Sequence, residues 1–320
     1  MKKIIKTGLI IIGLLLTLIV IGVSYINIKG IPSYDPPTIS DYSVTPTPEK
    51  VARGRKLGST LCAGCHMNPD TRKLTGKHMS DAPPDFGFIY SPNITQDKDY
   101  GIGEWTDAEI MYLLRTGIKR DGKYAPPYMA KLPHLADDDM EAIIAWLRSD
   151  DPMVVAASVP AKPIEPSFLT KFLSNVVLSP LPHSTEKIPM PDTTNQVELG
   201  KYYAINFECF SCHSADFKTI NFMEPSKTPG FLGGGNLMLT LEGEEILTSN
   251  ITPHKEFGIG NWTKEQFIKA VKSGVMKDEE ALRYPMIPYT QLTDYEAGAI
   301  YEYLMTVEPL ANDIKRSGIE

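Results

Sequence analysis

The chain has 320 residues, of which 42% are hydrophobic and 22% charged, a balance typical of folded domains and unlike a disordered tail or a coiled coil. Its formal net charge of −7 argues against a nucleic-acid-binding protein, because such proteins need a basic face. The length is sufficient for two domains of ordinary size.

An uncharged apolar segment, residues 7–28, follows a short basic tip, residues 1–6. At ~1.5 Å per residue this segment makes about 33 Å of helix, which is enough to cross a bilayer and longer than the apolar core of a signal peptide. Lys2, Lys3 and Lys6 predict a cytoplasmic N-terminus. We therefore predict a single-pass anchor in the cell membrane, with the remaining residues on the extracytoplasmic, periplasmic side. A buried core helix and a cleaved signal are the alternatives.

The sequence beyond the anchor repeats itself. The string "SPNITQDKDYGIGEWT" from Ser91 matches "TSNITPHKEFGIGNWT" from Thr248 at an offset of 157 residues. The motifs "CAGCH" from Cys62 and "CFSCH" from Cys209 are offset by only 147 residues. The second copy therefore carries ten extra residues, which we expect in the Gly-rich stretch "TPGFLGGGNLMLTLEGEE".

This repetition divides the chain after the anchor. We expect a linker at 29–47, a first repeat at 48–150, a proline-rich linker at 151–192 and a second repeat at 193–312. Helix starts are predicted by an N-cap at Thr47 and by capping boxes at Thr106/Glu109, Thr263/Gln266 and Thr293/Glu296. No stretch predicts a sheet, so we expect an all-α fold. In the second linker we expect one short amphipathic helix at Phe168–Leu178, whose apolar pairs favour packing at the seam between the repeats over a second membrane contact.

All four cysteines belong to the two C-x-x-C-H motifs. This spacing is the attachment frame of c-type haem, in which two thiols join the porphyrin and the adjacent histidine reaches the iron. A thioredoxin-like pair would need a βαβ context, a zinc site would need a fourth ligand, and disulfides would leave the two histidines unexplained. We therefore predict two covalently attached haem c groups. The predicted attachment residues are Cys62, Cys65, Cys209 and Cys212, and the predicted iron ligands are His66 and His213.

Both repeats resemble class I c-type cytochromes joined in tandem. The strings "SPNITQDKDYGIGEWTDAEI" and "YAPPYMAKL", with their counterparts in the second repeat, are more narrowly similar to the cytochrome c subunits of membrane-bound alcohol and gluconate dehydrogenases. Those subunits typically carry three haem motifs, whereas this chain has two. The resemblance implies an N-terminal transmembrane helix followed by two tandem class I cytochrome c domains.

The resemblance also implies a methionine as the sixth iron ligand of each haem. Met129 and Met286 occupy matching positions, 63 and 73 residues beyond the motif histidines. The alternative ligands are other methionines, notably Met79, Met111, Met223 and Met276, and the four remaining histidines, His78, His134, His183 and His254. A backbone carbonyl that holds the motif histidine is also implied, with Pro83, Pro84 and Pro229 as candidates.

The function implied is electron transfer rather than catalysis. Two six-coordinate irons favour a carrier that accepts electrons from a dehydrogenase and passes them to a terminal oxidase or a soluble carrier. The alternative is a haem enzyme, such as a di-haem peroxidase or a thiosulfate-oxidising cytochrome, which would need an open iron position or a cysteine ligand. The two Asn-Ile-Thr strings are formal glycosylation sequons, but their place in the repeat predicts structural turns.

Overall fold

The computed structural model describes residues 2–35, 42–80, 82–125 and 128–314, and helices are its main regular elements. The α-helices of this described part are α1 Lys2–Lys29, α2 Pro48–Leu61, α3 Ala63–His66, α4 Asp107–Thr116, α5 Asp137–Leu147, α6 Phe168–Phe172, α7 Gln196–Asn206, α8 Cys209–Cys212, α9 Lys264–Ser273 and α10 Asp294–Leu304. Short 3₁₀ turns lie at Pro84–Phe86, Phe217–Thr219 and Pro225–Lys227, and a π-helical turn at Leu173–Val177 continues α6.

The helix starts are those that the capping pattern predicts. The Thr47 side chain accepts a hydrogen bond from the backbone of Lys50 at the start of α2. The capping boxes at the starts of α4, α9 and α10 are formed in both directions. These local signals are readable from sequence because each one satisfies backbone groups within a single helical turn.

Two small antiparallel sheets depart from the expectation of no sheet. One pairs β1 Gly87–Phe88 with β2 Glu165–Pro166, and the other pairs β3 Leu237–Leu239 with β4 Glu245–Leu247. Strands of two or three residues are too short to show an alternating pattern in the sequence. The first sheet fastens the proline-rich linker to the first repeat.

The extra residues of the second repeat also lie elsewhere than expected. The backbone bond from Gly76 to His66 in the first repeat has its counterpart from Gly234 to His213 in the second, at 2.8 and 2.9 Å. Equivalent residues of the two repeats are 147 positions apart at His66 and His213, but already 158 apart at Gly76 and Gly234. The extra residues therefore come before most of the Gly-rich stretch. They fall between residues 213 and 232, around two of the 3₁₀ turns.

Each repeat is built on one close crossing between its first long helix and its last. In the first repeat, Gly54 of α2 lies so close to α5 that a Cβ there would overlap the carbonyl oxygen of Ala142. In the second repeat, Gly200 of α7 stands in the same relation to Ala299 of α10. Only glycine permits such an approach of two backbones, so the sequence repeat is matched by a repeat in helix packing.

The end of α1 is held against the first repeat. The backbone of Tyr34 donates to the carbonyl of Gly122 at 2.8 Å, and Tyr124 donates to the carbonyl of Pro32 at 3.0 Å. Residues 168–177, which we call the linker helix, also reach this point, because the Asn175 side chain donates to the carbonyl of Gly30 at 2.8 Å. Among the described residues, α1 is the one helix long and apolar enough to cross a membrane, and its apolar stretch is uncovered by the rest of the protein.

Candidate haem-binding sites

Each C-x-x-C-H motif forms one helical turn. In the first repeat, Cys62 ends α2 and its carbonyl accepts from the backbone of His66 at 2.9 Å. In the second, the carbonyl of Cys209 accepts from the backbone of His213 at 2.8 Å. This turn brings two thiols and an imidazole together at the end of a helix, as covalent haem attachment requires.

A backbone carbonyl orients each motif histidine. His66 Nδ1 lies 2.9 Å from the carbonyl oxygen of Pro92, and His213 Nδ1 lies 2.7 Å from that of Ser249. Pro92 and Ser249 occupy equivalent positions in the two copies of the repeat. The expectation of Pro83, Pro84 or Pro229 in this role was therefore wrong. A carbonyl partner fixes the proton on Nδ1 and leaves Nε2 for a metal.

The Asn-Ile-Thr turn that follows holds this carbonyl in place. Asn93 donates through Nδ2 to the carbonyls of Ala157 and Val159, at 2.8 and 3.0 Å, while its Oδ1 accepts from Thr95. Asn250 makes the corresponding bonds to Leu310 and Asn312, and its Oδ1 accepts from Thr252. The asparagines and threonines are buried, which confirms the prediction of structural turns.

Burial favours the protonated thiols of Cys62 and Cys209 and the neutral imidazoles of His66 and His213. It raises the pKa of the Cys62 thiol to about 12, with the Cys65 charge adding to the effect, and it raises the pKa of Cys209 to about 12. These shifts are opposite to those of a reactive redox pair, whose thiol pKa is lowered. Burial likewise lowers the pKa of His66 and of His213, which favours the neutral imidazole that a metal needs. No disulfide joins the four cysteines, which all lie within the described residues.

The two candidate methionine ligands lie in loops that are held by equivalent backbone hydrogen bonds. Three residues beyond Met129, Leu132 donates to the carbonyl of Leu114 at 2.7 Å. Three residues beyond Met286, Tyr289 donates to the carbonyl of Val271 at 2.7 Å. Both methionines are half-buried. Ligation by either methionine stays a prediction.

Three of the alternative ligands have structural roles of their own. His134 Nε2 lies 2.9 Å from the carbonyl of Phe222 and so joins the two repeats. His254 Nδ1 accepts from the backbone of Phe257, and Met111 is part of the hydrophobic core. These contacts argue against His134, His254 and Met111 as iron ligands.

Each methionine loop lies against the cysteine motif of the other repeat, a relation that sequence reasoning missed. Glu208, next to Cys209, accepts a hydrogen bond from the backbone of Lys131, two residues after Met129. Burial lowers the pKa of the Lys131 ammonium and raises the pKa of the Glu208 carboxyl, while the attraction between the two opposes both shifts. In the reverse direction, Ile287 Cδ1 lies 3.9 Å from the place that a Cβ on Gly64 would take. The two candidate sites therefore face each other across the seam between the repeats.

These residues fit a covalently bound haem. Each site offers two thiols that no disulfide consumes and a histidine whose Nδ1 is already engaged, so that Nε2 remains for iron. Among the described residues, no three His, Cys, Asp or Glu side chains converge as a metal site made of protein ligands alone.

Comparisons with known proteins agree with this geometry. Residues 51–150 match the family model of cytochrome c, so the chain contains a cytochrome c domain. The chain is 28% identical to a nicotinate dehydrogenase subunit of Pseudomonas putida, over 85% of this chain and 22% of that protein. It is 26% identical to the cytochrome c subunit of a quinone alcohol dehydrogenase of Gluconacetobacter polyoxogenes, over 82% of this chain and 56% of the other.

A third relative is close to this chain in length. The diheme cytochrome c-type protein of Cereibacter sphaeroides is 27% identical, over 77% of this chain and 81% of its own length. The chain spans only about a fifth and about half of the lengths of the two dehydrogenase subunits. The resemblance that the motifs indicate, to the cytochrome c subunits of alcohol dehydrogenases, is confirmed.

Proposed function

We propose that this protein is a membrane-anchored di-haem cytochrome c that transfers electrons outside the cytoplasm, from a dehydrogenase to a terminal oxidase or a soluble carrier. The observation that carries the proposal is the duplicated site: two C-x-x-C-H turns whose histidines bond to equivalent carbonyls, Pro92 and Ser249. The similarity to subunits of two dehydrogenases, one of them a cytochrome c subunit, supports a redox protein as the partner.

In this proposal, residues 48–150 and 193–312 are two cytochrome c domains joined by the linker 151–192. Cys62 and Cys65 hold one haem c, and Cys209 and Cys212 hold the other. When bound, haem supplies a one-electron couple at each site. Iron ligation is assigned to one histidine and one methionine per site: His66 with Met129, and His213 with Met286.

The protein's own residues then do three things. The carbonyl partners fix the orientation of the imidazoles, so that little reorganisation accompanies a change of charge. A histidine and a methionine on each iron would leave no open position for a substrate, which would favour transfer over catalysis. The contacts of Glu208 with the Met129 loop, and of Gly64 with Ile287, keep the two sites adjacent.

Residues 7–28 are assigned to a single membrane span, with residues 1–6 in the cytoplasm and the haem domains on the periplasmic side. The length and apolar composition of α1 support this assignment, as does its uncovered surface. Lys29 is the basic residue in its last turn, against three lysines at its start.

Haem stoichiometry tests the central claim. Protein made with a c-type maturation system should give two haems per chain in a pyridine haemochrome assay. The paired variants Cys62→Ser/Cys65→Ser and Cys209→Ser/Cys212→Ser should each give one. A wild-type chain with a single haem would contradict the di-haem assignment. Rapid turnover of peroxide or thiosulfate by the purified protein would contradict the carrier function and indicate a haem enzyme instead.

A further inference from the structure

The linker helix is amphipathic in the opposite sense to an ordinary surface helix. Its buried face carries Thr170 and Ser174, which are 1% and 0% exposed. Its outer face carries Phe168, Val176 and Val177, which are 39%, 60% and 57% exposed. A surface helix in water turns its polar side chains outward, so this arrangement suits an apolar environment.

On the inward face, Thr170 has a specific partner, and Ser167 at the helix start has another. Thr170 donates to the carbonyl of Phe86 at 2.8 Å, and Ser167 caps the helix start while bonding to the carbonyl of Asp85. These bonds fix the rotation of the helix about its axis. The outward position of its apolar residues is therefore imposed by the fold.

The helix lies where α1 ends. Asn175 donates to the carbonyl of Gly30, the residue after the last residue of α1, and Lys171 reaches the side chain of Asn27 at 3.4 Å. Backbone bonds from Tyr34 and Tyr124 hold the same stretch to the first repeat. If α1 crosses a bilayer, the linker helix lies at the level where it leaves the hydrocarbon.

Residues adjacent to the linker helix have a similar character. Phe88 is exposed and lies on β1, which pairs with β2 just before the start of the linker helix. Residues 168–177 contain one charged side chain, Lys171, and no acidic one, and Lys29 ends α1 nearby. Exposed aromatic and branched apolar residues beside lysines are the combination that binds at a lipid headgroup boundary.

We propose that the linker helix is a second membrane contact, lying in the plane of the interface beside α1 with Phe168, Val176 and Val177 in the lipid. Such a contact would limit rotation of the haem domains about the anchor. The proposal rests on the membrane assignment of α1 made above.

Depth-dependent quenching of a fluorescent bimane tests the proposal on the full-length protein in lipid nanodiscs. Val177→Cys carries the label at the proposed contact, and Leu15→Cys reports on α1. The matched control Val197→Cys lies at an exposed valine of α7. Labelling of the unsubstituted protein under the same conditions measures the background signal from the native cysteines. We expect lipids brominated near the headgroups to quench position 177, acyl-brominated lipids to quench position 15, and aqueous iodide to quench position 197.

The possible failures are distinct. Lipid quenching at position 15 with iodide quenching at position 177 would leave the anchor intact and overturn the second contact. Protection of position 177 from both quenchers would mean that protein, such as a second copy, covers the linker helix. That result would also overturn the proposed membrane contact. Absence of lipid quenching at position 15 would instead refute the anchor, and the second contact with it.

Discussion

Arg53 of α2 donates to the hydroxyl of Tyr203 of α7 at 3.0 Å and so joins the first repeat to the second. The same guanidinium makes two 2.8 Å bonds to the carboxylate of Asp139, while Tyr203 donates to Glu296 at 2.6 Å. Lys56 completes the network with an ion pair to Glu296. One polar cluster thus connects the first and last helices of both repeats.

The first prediction concerns this cluster. Arg53→Ala leaves Asp139 buried without its cation, and loss of one partner from a buried pair costs about 3 kcal/mol. We expect the urea midpoint to fall and the unfolding of the two repeats to separate into two phases. Far-UV circular dichroism and haem absorbance, followed together, measure both effects, since a two-domain protein need not unfold in one step.

Arg120→Ala is the control for this experiment, because the exposed Arg120 forms an ion pair with the partly buried Glu109 within the first repeat. Such a pair is worth less than about 1 kcal/mol. Equal midpoints for the Arg53 and Arg120 variants would show that the cluster does not hold the repeats together.

The second prediction follows from the acidity of Glu296. Burial alone would raise its pKa, but hydrogen bonds from Lys56, Tyr203 and the backbone of Thr293 hold the pKa of Glu296 at about 2, below its usual 4.5. The native state therefore gains stability from this carboxylate above pH 4.5 and loses it as the pH falls toward 2. Glu296→Gln should lower the urea midpoint at pH 6 and flatten the dependence of the midpoint on pH below 4.5.

The matched variant is Glu302→Gln on the same helix, whose partly exposed side chain pairs with Lys264 at 2.9 Å. We expect it to lower the urea midpoint at pH 6 by little, because an exposed ion pair contributes less than about 1 kcal/mol. If the Glu296 and Glu302 variants lose stability in parallel across the acid range, the low pKa assigned to Glu296 is wrong.

The helices and attachment motifs could be predicted from the sequence, because their signals are local. The box of Thr106 with Glu109 lies within one helical turn, and the cysteine motif within five residues. The carbonyls of Pro92 and Ser249 were missed because a backbone acceptor leaves no residue type to recognise. Each precedes an Asn-Ile-Thr string, however, and comparison of the two repeats at that point would have found them.

The contacts at the seam between the two repeats could not be predicted, because they depend on how one repeat is oriented relative to the other. Nothing local to Arg53 indicates a tyrosine 150 residues away as its partner. The linker helix shows a related limit. Its apolar spacing correctly predicted a helix, but the pattern could not show that Thr170 and Ser174, rather than the apolar side chains, face inward.

The third prediction concerns the helix crossings. Gly54→Ala and Gly200→Ala each place a methyl group into the carbonyl of the partner helix, which is a backbone collision that side-chain repacking cannot relieve. Overpacking costs about 1–3 kcal/mol even in cores that adjust, so we expect at least that loss and a low yield of haem-loaded protein. Thermal unfolding and the haem-to-protein ratio provide the measurements.

Gly64→Ala is the matched control, because its nearest contact would be Ile287 at an ordinary 3.9 Å. It lies between the two cysteines of the first motif, so it also tests whether any change at a glycine near the site disturbs haem loading. Comparable losses in all three variants would refute the crossing argument.

The fourth prediction concerns the turn that carries the histidine acceptor. Asn93→Asp removes the Nδ2 donor from the carbonyls of Ala157 and Val159 and places a buried carboxylate beside them. An unpaired buried charge together with two unmet acceptors should cost about 3 kcal/mol or more. Asn261→Asp changes an exposed asparagine that also bonds to a carbonyl, that of Lys255, and should cost less than about 1 kcal/mol. Similar thermal midpoints for the two variants would contradict the structural role of the turn.

The last prediction tests the methionine ligands. Met129→Ala and Met286→Ala should each open one iron, so that the reduced protein gains one carbon monoxide site per chain, and the double variant should gain two. Met129→His should keep its haem low-spin but lower the reduction potential, because imidazole stabilises ferric iron better than a thioether does. Met223→Ala, at an exposed methionine, is the control and should bind no more carbon monoxide than the wild type. Stoichiometric carbon monoxide binding by the wild type itself would remove methionine from at least one iron, and with it the argument that closed irons make this protein a carrier.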